Sequence, residues 1–361
     1  MKWVNLHLMV TNTTKIICKK RFWAGLLLAQ FILFYSFSGS SVMTSFFERF
    51  FEIQKNTHQL IFSWLPFSFG DVLYIFLGVF LIYHIAGCFS RNRRKRSFIK
   101  ILACINIVYF LYHIFWGMLY FQTPIIKKLS SQKEPTVGKA KMLALKYLQK
   151  CKETRQLVHE DKNGIFIITD LNAVQKEILI RQTMLPGNIS DKKATEINSF
   201  KPSIFKNIMS FTGILGYYNP FTAEAQFNSQ LPDTLIPFTS AHESSHQLGF
   251  AREQEANFVG YLIGVNSNNI ELRYSTEYFT LKSLLNYIAD KDPSFVKSVL
   301  KNYSSGMKRD RAYEKTFILK HQGVLDDFFG FTNNIFLKSN QQEGSITYSY
   351  FINLLLNYER G

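Results

Sequence analysis

The stretch AHESSHQLGFAREQEANFVGYL, residues 241–262, carries residue types at a spacing that can do chemistry. His242 and His246 stand four apart, and residues four apart on a helix share one face, one turn above the other. Two neutral imidazoles placed in this way can both reach a zinc ion at ~2.0–2.1 Å. Glu243 follows the first histidine and lies to the side of that face. A carboxylate there can take a proton from an attacking water and hand it to a leaving amine. This is the mechanical content of a His-Glu-x-x-His motif.

A catalytic zinc also needs a third protein ligand and an open position. On one straight helix Glu253 would lie about 10 Å beyond His246, too far to share an ion. Gly249 removes that obstacle, because glycine is the common helix terminator and permits a reversal. A second helix beginning near Ala251 then presents Glu253 back toward the histidines. Asn257 shares its face, and its amide oxygen can accept the outer N–H of a zinc-bound histidine. Glu255 is the competing ligand. It lies roughly 200° around the helix from Glu253, so both cannot face one metal, and spacing alone does not choose between them.

The elements that must hold these residues begin in a membrane. Of 361 residues, 47% are apolar, only 19% are charged and 35 are phenylalanine. Three segments approach or exceed the ~18–20 residues that a span requires: about 22–39, 72–89 and 98–121. The net charge of +16 is concentrated beside them, in KIICKKR before the first and RNRRKR before the third. That placement fits topology and sets nucleic-acid binding aside. Excess Lys and Arg mark cytoplasmic loops, so the N-terminus is expected in the cytoplasm. An odd number of spans then carries everything after Phe121 to the periplasmic side of a cell inner membrane. A cleaved signal peptide is the rival reading of the first segment, and it leaves the C-terminal part on the same side. His84 and His113 fall inside spans and are read as neutral, hydrogen-bonded residues. The phenylalanines of SFFERFFEIQKNTHQLIFSWLPF recur at helical spacing, on a helix that lies either on the outer membrane surface or against the soluble domain. Cys18, Cys88, Cys104 and Cys151 form no CxxC pair and no readable disulfide framework.

The expected organisation is therefore a transmembrane α-helical region over 1–122 and a soluble domain over 123–361, mostly α with a small α+β element. KAKMLALKYLQKCKETRQLV and LNAVQKEILIRQTML have helical periodicity, and GIFIITD between them reads as a strand. GILGYYNPFTAEAQFNSQLP reads as extended structure broken by turns. After Asn266 the pattern is helical almost to the end. His159 has no partner at ligand spacing and is read as a surface residue.

HESSH followed by EQEAN resembles the gluzincin type of zincin metallopeptidase, in which a glutamate on a later helix is the third ligand and an Asp or Asn four residues on supports it. The resemblance implies Glu253 as ligand and Asn257 as its support. The gap from His246 to Glu253 is very short for a gluzincin. HESSHQLGFAR also partly matches the metzincin pattern, but its last ligand position is Arg252, and a guanidinium has no lone pair to offer a metal. The three-span layout resembles a family of uncharacterised bacterial membrane proteins. Zincins bind substrate along an edge strand, and FTAEAQFN is similar to one, which implicates Phe221, Thr222, Ala223 and Glu224 in binding an extended peptide. An oxyanion partner would come from Tyr217, Tyr218, Tyr261, Tyr274, Tyr278 or His321. The expectation is a membrane-anchored, Zn2+-dependent peptidase acting on a peptide or protein. Its alternative is a catalytically silent zinc domain that binds a partner or cell-envelope peptide. The sequence assigns no oligomeric state.

Overall fold

The computed structural model describes residues 19–129, 134–323 and 347–359. The expected helical stretch running through 324–346 lies outside the described residues. The chain divides into two compact units, one formed by residues up to Phe51 with Phe69–Gln122, the other by Glu52–Ser68 with the residues from Thr123 onward.

The first unit holds three helices long and apolar enough to cross a membrane: α1 (Lys20–Ser38), α3 (Phe69–Cys88) and α4 (Arg94–Phe115). The third expected span is shorter as a helix than its apolar run, because α4 stops at Trp116 and gives way to a 3-10 turn over Gly117–Phe121. Polar side chains pin the helices together. The Asn106 amide donates to the Trp23 carbonyl at 3.1 Å. Gly87 lets α3 approach α4 so closely that a Cβ there would meet the Ser97 hydroxyl. His84 faces Ser97 Oγ at 3.5 Å, and His113 Nδ1 donates to the Tyr109 carbonyl at 3.1 Å.

Helix α2 (Ser41–Phe62) is one continuous helix, and its second half belongs to the second unit. Of the two expectations for this segment, packing on the soluble part describes that half. Gln54 donates to the Pro220 carbonyl at 3.0 Å and Gln59 to Ser199 Oγ at 3.1 Å. Lys55 is fully buried. Its ammonium donates to the Lys193 carbonyl at 3.0 Å and pairs with Glu52 at 2.7 Å. Burial pulls its pKa down and Glu52 works against that.

The second unit is mostly helical. Its core forms where α5 (Val137–Arg155) packs on α10 (Ile270–Ala289), the face Ala140, Ala144, Tyr147 and Cys151 being fully buried at helical spacing. Around them lie α6 (Leu171–Gln182), α11 (Pro293–Lys301), α12 (Ser305–His321) and α13 (Thr347–Tyr358). The expected strand at GIFIITD is not one, since only an isolated bridge joins Glu160 and Phe166. Its backbone amides are taken by buried or partly buried carboxylates instead of a neighbouring strand. Phe166 N–H donates to Asp310, Ile168 N–H to Asp233 and Thr169 N–H to Glu271, each at 2.8–2.9 Å.

One small sheet is described. Its order is β1 (Phe200–Pro202), β3 (Glu224–Phe227), β2 (Gly216–Asn219), with β1 parallel and β2 antiparallel to β3. β3 is thus the central strand, which corrects the edge-strand expectation. Both its edges are already paired, and Thr222, Ala223 and Glu224 are fully buried. An extended peptide cannot add to it, and Phe221 to Glu224 do not form such a binding edge. Ala223 has φ 56°, and its N–H donates to the Asn219 carbonyl at 2.8 Å, closing the tight turn from β2 into β3.

Candidate metal centre

The two histidines lie on α8 (Ile236–Gln247), which starts with Pro237 in its first turn, where a missing N–H costs nothing. Eleven of its twelve residues are buried, many of them polar. Gln247 donates to Ser199 Oγ at 2.7 Å and to the Ala223 carbonyl at 3.1 Å. Ser245 Oγ donates to the Ala241 carbonyl at 2.9 Å, and the Gln182 amide donates to Ser244 Oγ. Hydrogen bonds as much as apolar contacts therefore fix the helix in place.

Gly249 ends α8 with φ 89°, a left-handed conformation that disfavours side chains. Its N–H donates to His246 O at 2.8 Å, and Phe250 N–H donates to Ser245 O at 3.2 Å, which closes the helix and turns the chain back. Arg252 is extended, and α9 (Glu253–Val265) begins at once. Glu253 thus occupies a helix N-terminus, which favours a negative charge. Gly260 lets α9 lie close on α8, for a Cβ there would stand 3.2–3.3 Å from the backbone of Ala241 and His242.

This reversal brings His242, His246 and Glu253 together, with one potential donor atom from each within 4.8 Å of the others. The two Glu253 oxygens face one histidine each, at 3.2 Å from His242 Nε2 and 3.6 Å from His246 Nε2. Ligands held at ~2.0–2.1 Å around a tetrahedral ion sit roughly 3.3 Å apart, so this spacing fits a metal. The outer nitrogens are also engaged. His246 Nδ1 meets the Phe250 carbonyl at 2.7 Å and His242 Nδ1 meets Asn257 Oδ1 at 2.8 Å. A carbonyl oxygen only accepts, so each Nδ1 carries a proton and each Nε2 is the ring atom that faces Glu253. The side chains of His242 and His246 are 14% and 7% exposed and that of Glu253 is 34% exposed, so solvent reaches the cluster from the glutamate side.

Glu255 points elsewhere. It is buried, accepts the Ile125 N–H at 2.8 Å, and pairs with Arg252 at 3.3 Å. Burial raises its pKa, while Arg252 and the Ile125 N–H work against the rise. Burial also pushes the Glu253 carboxyl up, but the histidines outweigh it and hold Glu253 well below the usual carboxylate range.

Glu243 is 3% exposed, and its Oε2 has no hydrogen-bond partner among the described residues. Burial pushes its carboxyl up to about 8, helped by the charge of Glu253 and opposed by His242. Gly216 at the start of β2 lies directly against it, since a Cβ there would stand 2.7 Å from Glu243 Oε1. Among the oxyanion candidates, Tyr261 is bonded to Tyr147 and Glu359, Tyr274 to Asp310, and His321 to the Phe317 carbonyl. Tyr278 stacks on Tyr274 within the core. Tyr217 and Tyr218 lie on β2, which packs against α8.

Three features here had no signal in residue type. The Phe250 acceptor is a main-chain carbonyl. The closeness of Gly216 to Glu243 and of Gly260 to α8 depends on packing between segments that spacing does not connect.

These observations define a mostly helical protein with three candidate membrane spans and a compact His–His–Glu cluster. The chain belongs to the family described as "protein of unknown function (DUF3810)", whose model matches residues 46–356. No curated protein and no solved structure matches it.

Proposed function

We propose that the protein is a membrane-anchored zinc-dependent peptidase of zincin type, with its second unit on the periplasmic side of the inner membrane. The orientation follows from the Lys- and Arg-rich flanks of the first and third spans. The observation that carries the activity is the Glu253 carboxylate set opposite two Nε2 atoms, with both Nδ1 atoms held by oxygen acceptors. His242, His246 and Glu253 hold the metal, and Asn257 and the Phe250 carbonyl orient the imidazoles. When bound, zinc supplies Lewis acidity, polarising a carbonyl and acidifying water. Glu243 takes the proton of the attacking water and passes it to the departing amine. Its unpartnered Oε2 is the acceptor that a water would satisfy.

The test is zinc content and hydrolysis of a mixed peptide library by detergent-purified full-length protein, beside His246→Ala. About one zinc per chain with hydrolysis, both lost in the variant, supports the reading. Zinc without hydrolysis moves the protein to the silent binding module. A wild type that takes up no zinc after reconstitution removes the site.

A further inference from the structure

The second unit exposes large apolar side chains on two segments, neither of which carries a metal ligand. Trp64 and Phe67 are 74% and 43% exposed, and Ile204, Ile208, Phe211 and Leu215 are 42–56% exposed. The two groups are far apart in sequence but physically tied. The Lys201 ammonium donates to the Ser63 carbonyl at 2.7 Å and also to the Leu65 carbonyl, so β1 clamps the turn that bears Trp64. Gln59 is bonded to Ser199, and Gln226 to Ser68 at 2.9 Å. The helix α7 (Lys206–Phe211) follows β1 and carries Ile208 and Phe211.

We propose that these two segments rest on the lipid surface, so that the second unit is docked on the bilayer as well as tethered to it. Three observations favour lipid over another occupant. First, the chain enters the apolar helix α3 at Phe69, two residues after Phe67 and five after Trp64. Five residues reach at most roughly 18 Å, so Trp64 stays close to the surface of any bilayer that α3 crosses. Tryptophan is the residue favoured at that depth. Second, residues 57–68 contain no Asp, Glu, Lys or Arg, and residues 202–219 contain only Lys206. Acidic groups would repel anionic headgroups, whereas one exposed lysine attracts them. Third, the hydrogen bonds from Lys201 tie β1, which leads into 204–215, to the segment just before α3. The inference does not depend on the metal site.

The experiment uses the native full-length chain in nanodiscs containing a lipid with a photoactivated carbene precursor in its acyl chain. Adducts are mapped by mass spectrometry, and a water-soluble carbene reagent is applied to a parallel sample. Leu157 is the control, being 63% exposed. Two residues before it, Arg155 donates to the Gly164 carbonyl, which also accepts from Arg309 on α12, whereas Phe211 touches His321 at the other end of that helix. Twelve helical residues separate these contacts by about 18 Å. The expected result is lipid adducts on Ile204, Ile208, Phe211 or Leu215 and none on Leu157, with the reverse pattern for the soluble reagent. Equal labelling of both sites by the soluble reagent, with no lipid adduct at 204–215, overturns the proposal. Protection of 204–215 from both reagents also overturns it and indicates a protein partner.

Discussion

Asn257 allows a sharp test of the metal centre, because it touches a candidate ligand without being one. Its Oδ1 lies 2.8 Å from His242 Nδ1 and fixes which nitrogen of that ring carries the proton. Asn257→Ala removes the acceptor and leaves the three ligands in place. Loss of such a partner typically weakens metal affinity 10–100-fold, or about 1.4–2.8 kcal/mol. The range agrees with what one hydrogen bond to a group carrying charge contributes, about 1.5–3 kcal/mol, since a bound cation makes the Nδ1 proton more acidic. Asn257→Asp keeps the acceptor and adds charge, so it should bind at least as tightly as wild type. His246 has no equivalent test, as its partner is the Phe250 main chain. The assay is competition with a chromogenic zinc chelator on purified protein, with zinc-free melting curves as the folding control. An Asn257→Ala protein that melts like wild type and binds zinc within about twofold of it would show that the pair does not serve a metal.

Glu243→Gln removes no ligand, so zinc content should stay at the wild-type value while peptide hydrolysis falls roughly 10²–10⁴-fold, the usual share of a general base. If hydrolysis survives, Glu243 is not the base. Gly216→Ala places a methyl 2.7 Å from Glu243 Oε1 and 2.8 Å from the Gln226 carbonyl. It should lower stability by about 1–3 kcal/mol and reduce kcat with zinc retained, and an unchanged melting curve and kcat would argue against the close approach. Glu255→Gln should leave zinc content intact but lower the melting temperature, because a buried carboxylate that serves Ile125 N–H and Arg252 is lost. Zinc loss in that variant with folding intact would make Glu255, not Glu253, the ligand.

The sequence made the helices legible because their apolar periodicity is strong, and the three candidate spans because their apolar runs are long. Glu253 and Glu255 were indistinguishable by spacing, and three-dimensional contacts separate them. Glu255 is drawn to the Ile125 amide, 130 positions earlier in the chain, and no local pattern encodes that pairing. The false strand at GIFIITD has a similar origin. Its β-branched composition is strand-like, but its amide partners are Asp310, Asp233 and Glu271, which arrive from distant segments. The edge-strand reading of FTAEAQFN failed because alternation reports an extended backbone and says nothing of which neighbours flank it. Three-residue β1, itself too short to leave a pattern, occupies the edge that a peptide would have used.

The composition of α8 argues for a site rather than for a core. A buried helix is ordinarily apolar, since each unpaired polar group taken from water costs about 1–3 kcal/mol. Here Thr239, Ser240, Glu243, Ser244, Ser245, His246 and Gln247 are all buried. Most are matched, through Gln182 of α6, Ser199 beside β1 and the carbonyl of Ala223, so three separate segments fix the helix by directional bonds. Such bonds hold a rotation about the helix axis more tightly than apolar contacts do, and that rotation decides where both Nε2 atoms point. Among the described residues, Ser240 Oγ, Gln247 Oε1 and Glu243 Oε2 are the buried side-chain atoms of this helix left without a partner, and Glu243 is the ionisable one. A carboxyl kept buried with an unpartnered oxygen opposes folding. Its position one residue from His242, against the only residue type that leaves room for it at Gly216, makes most sense if a bound water or substrate completes its hydrogen bonds.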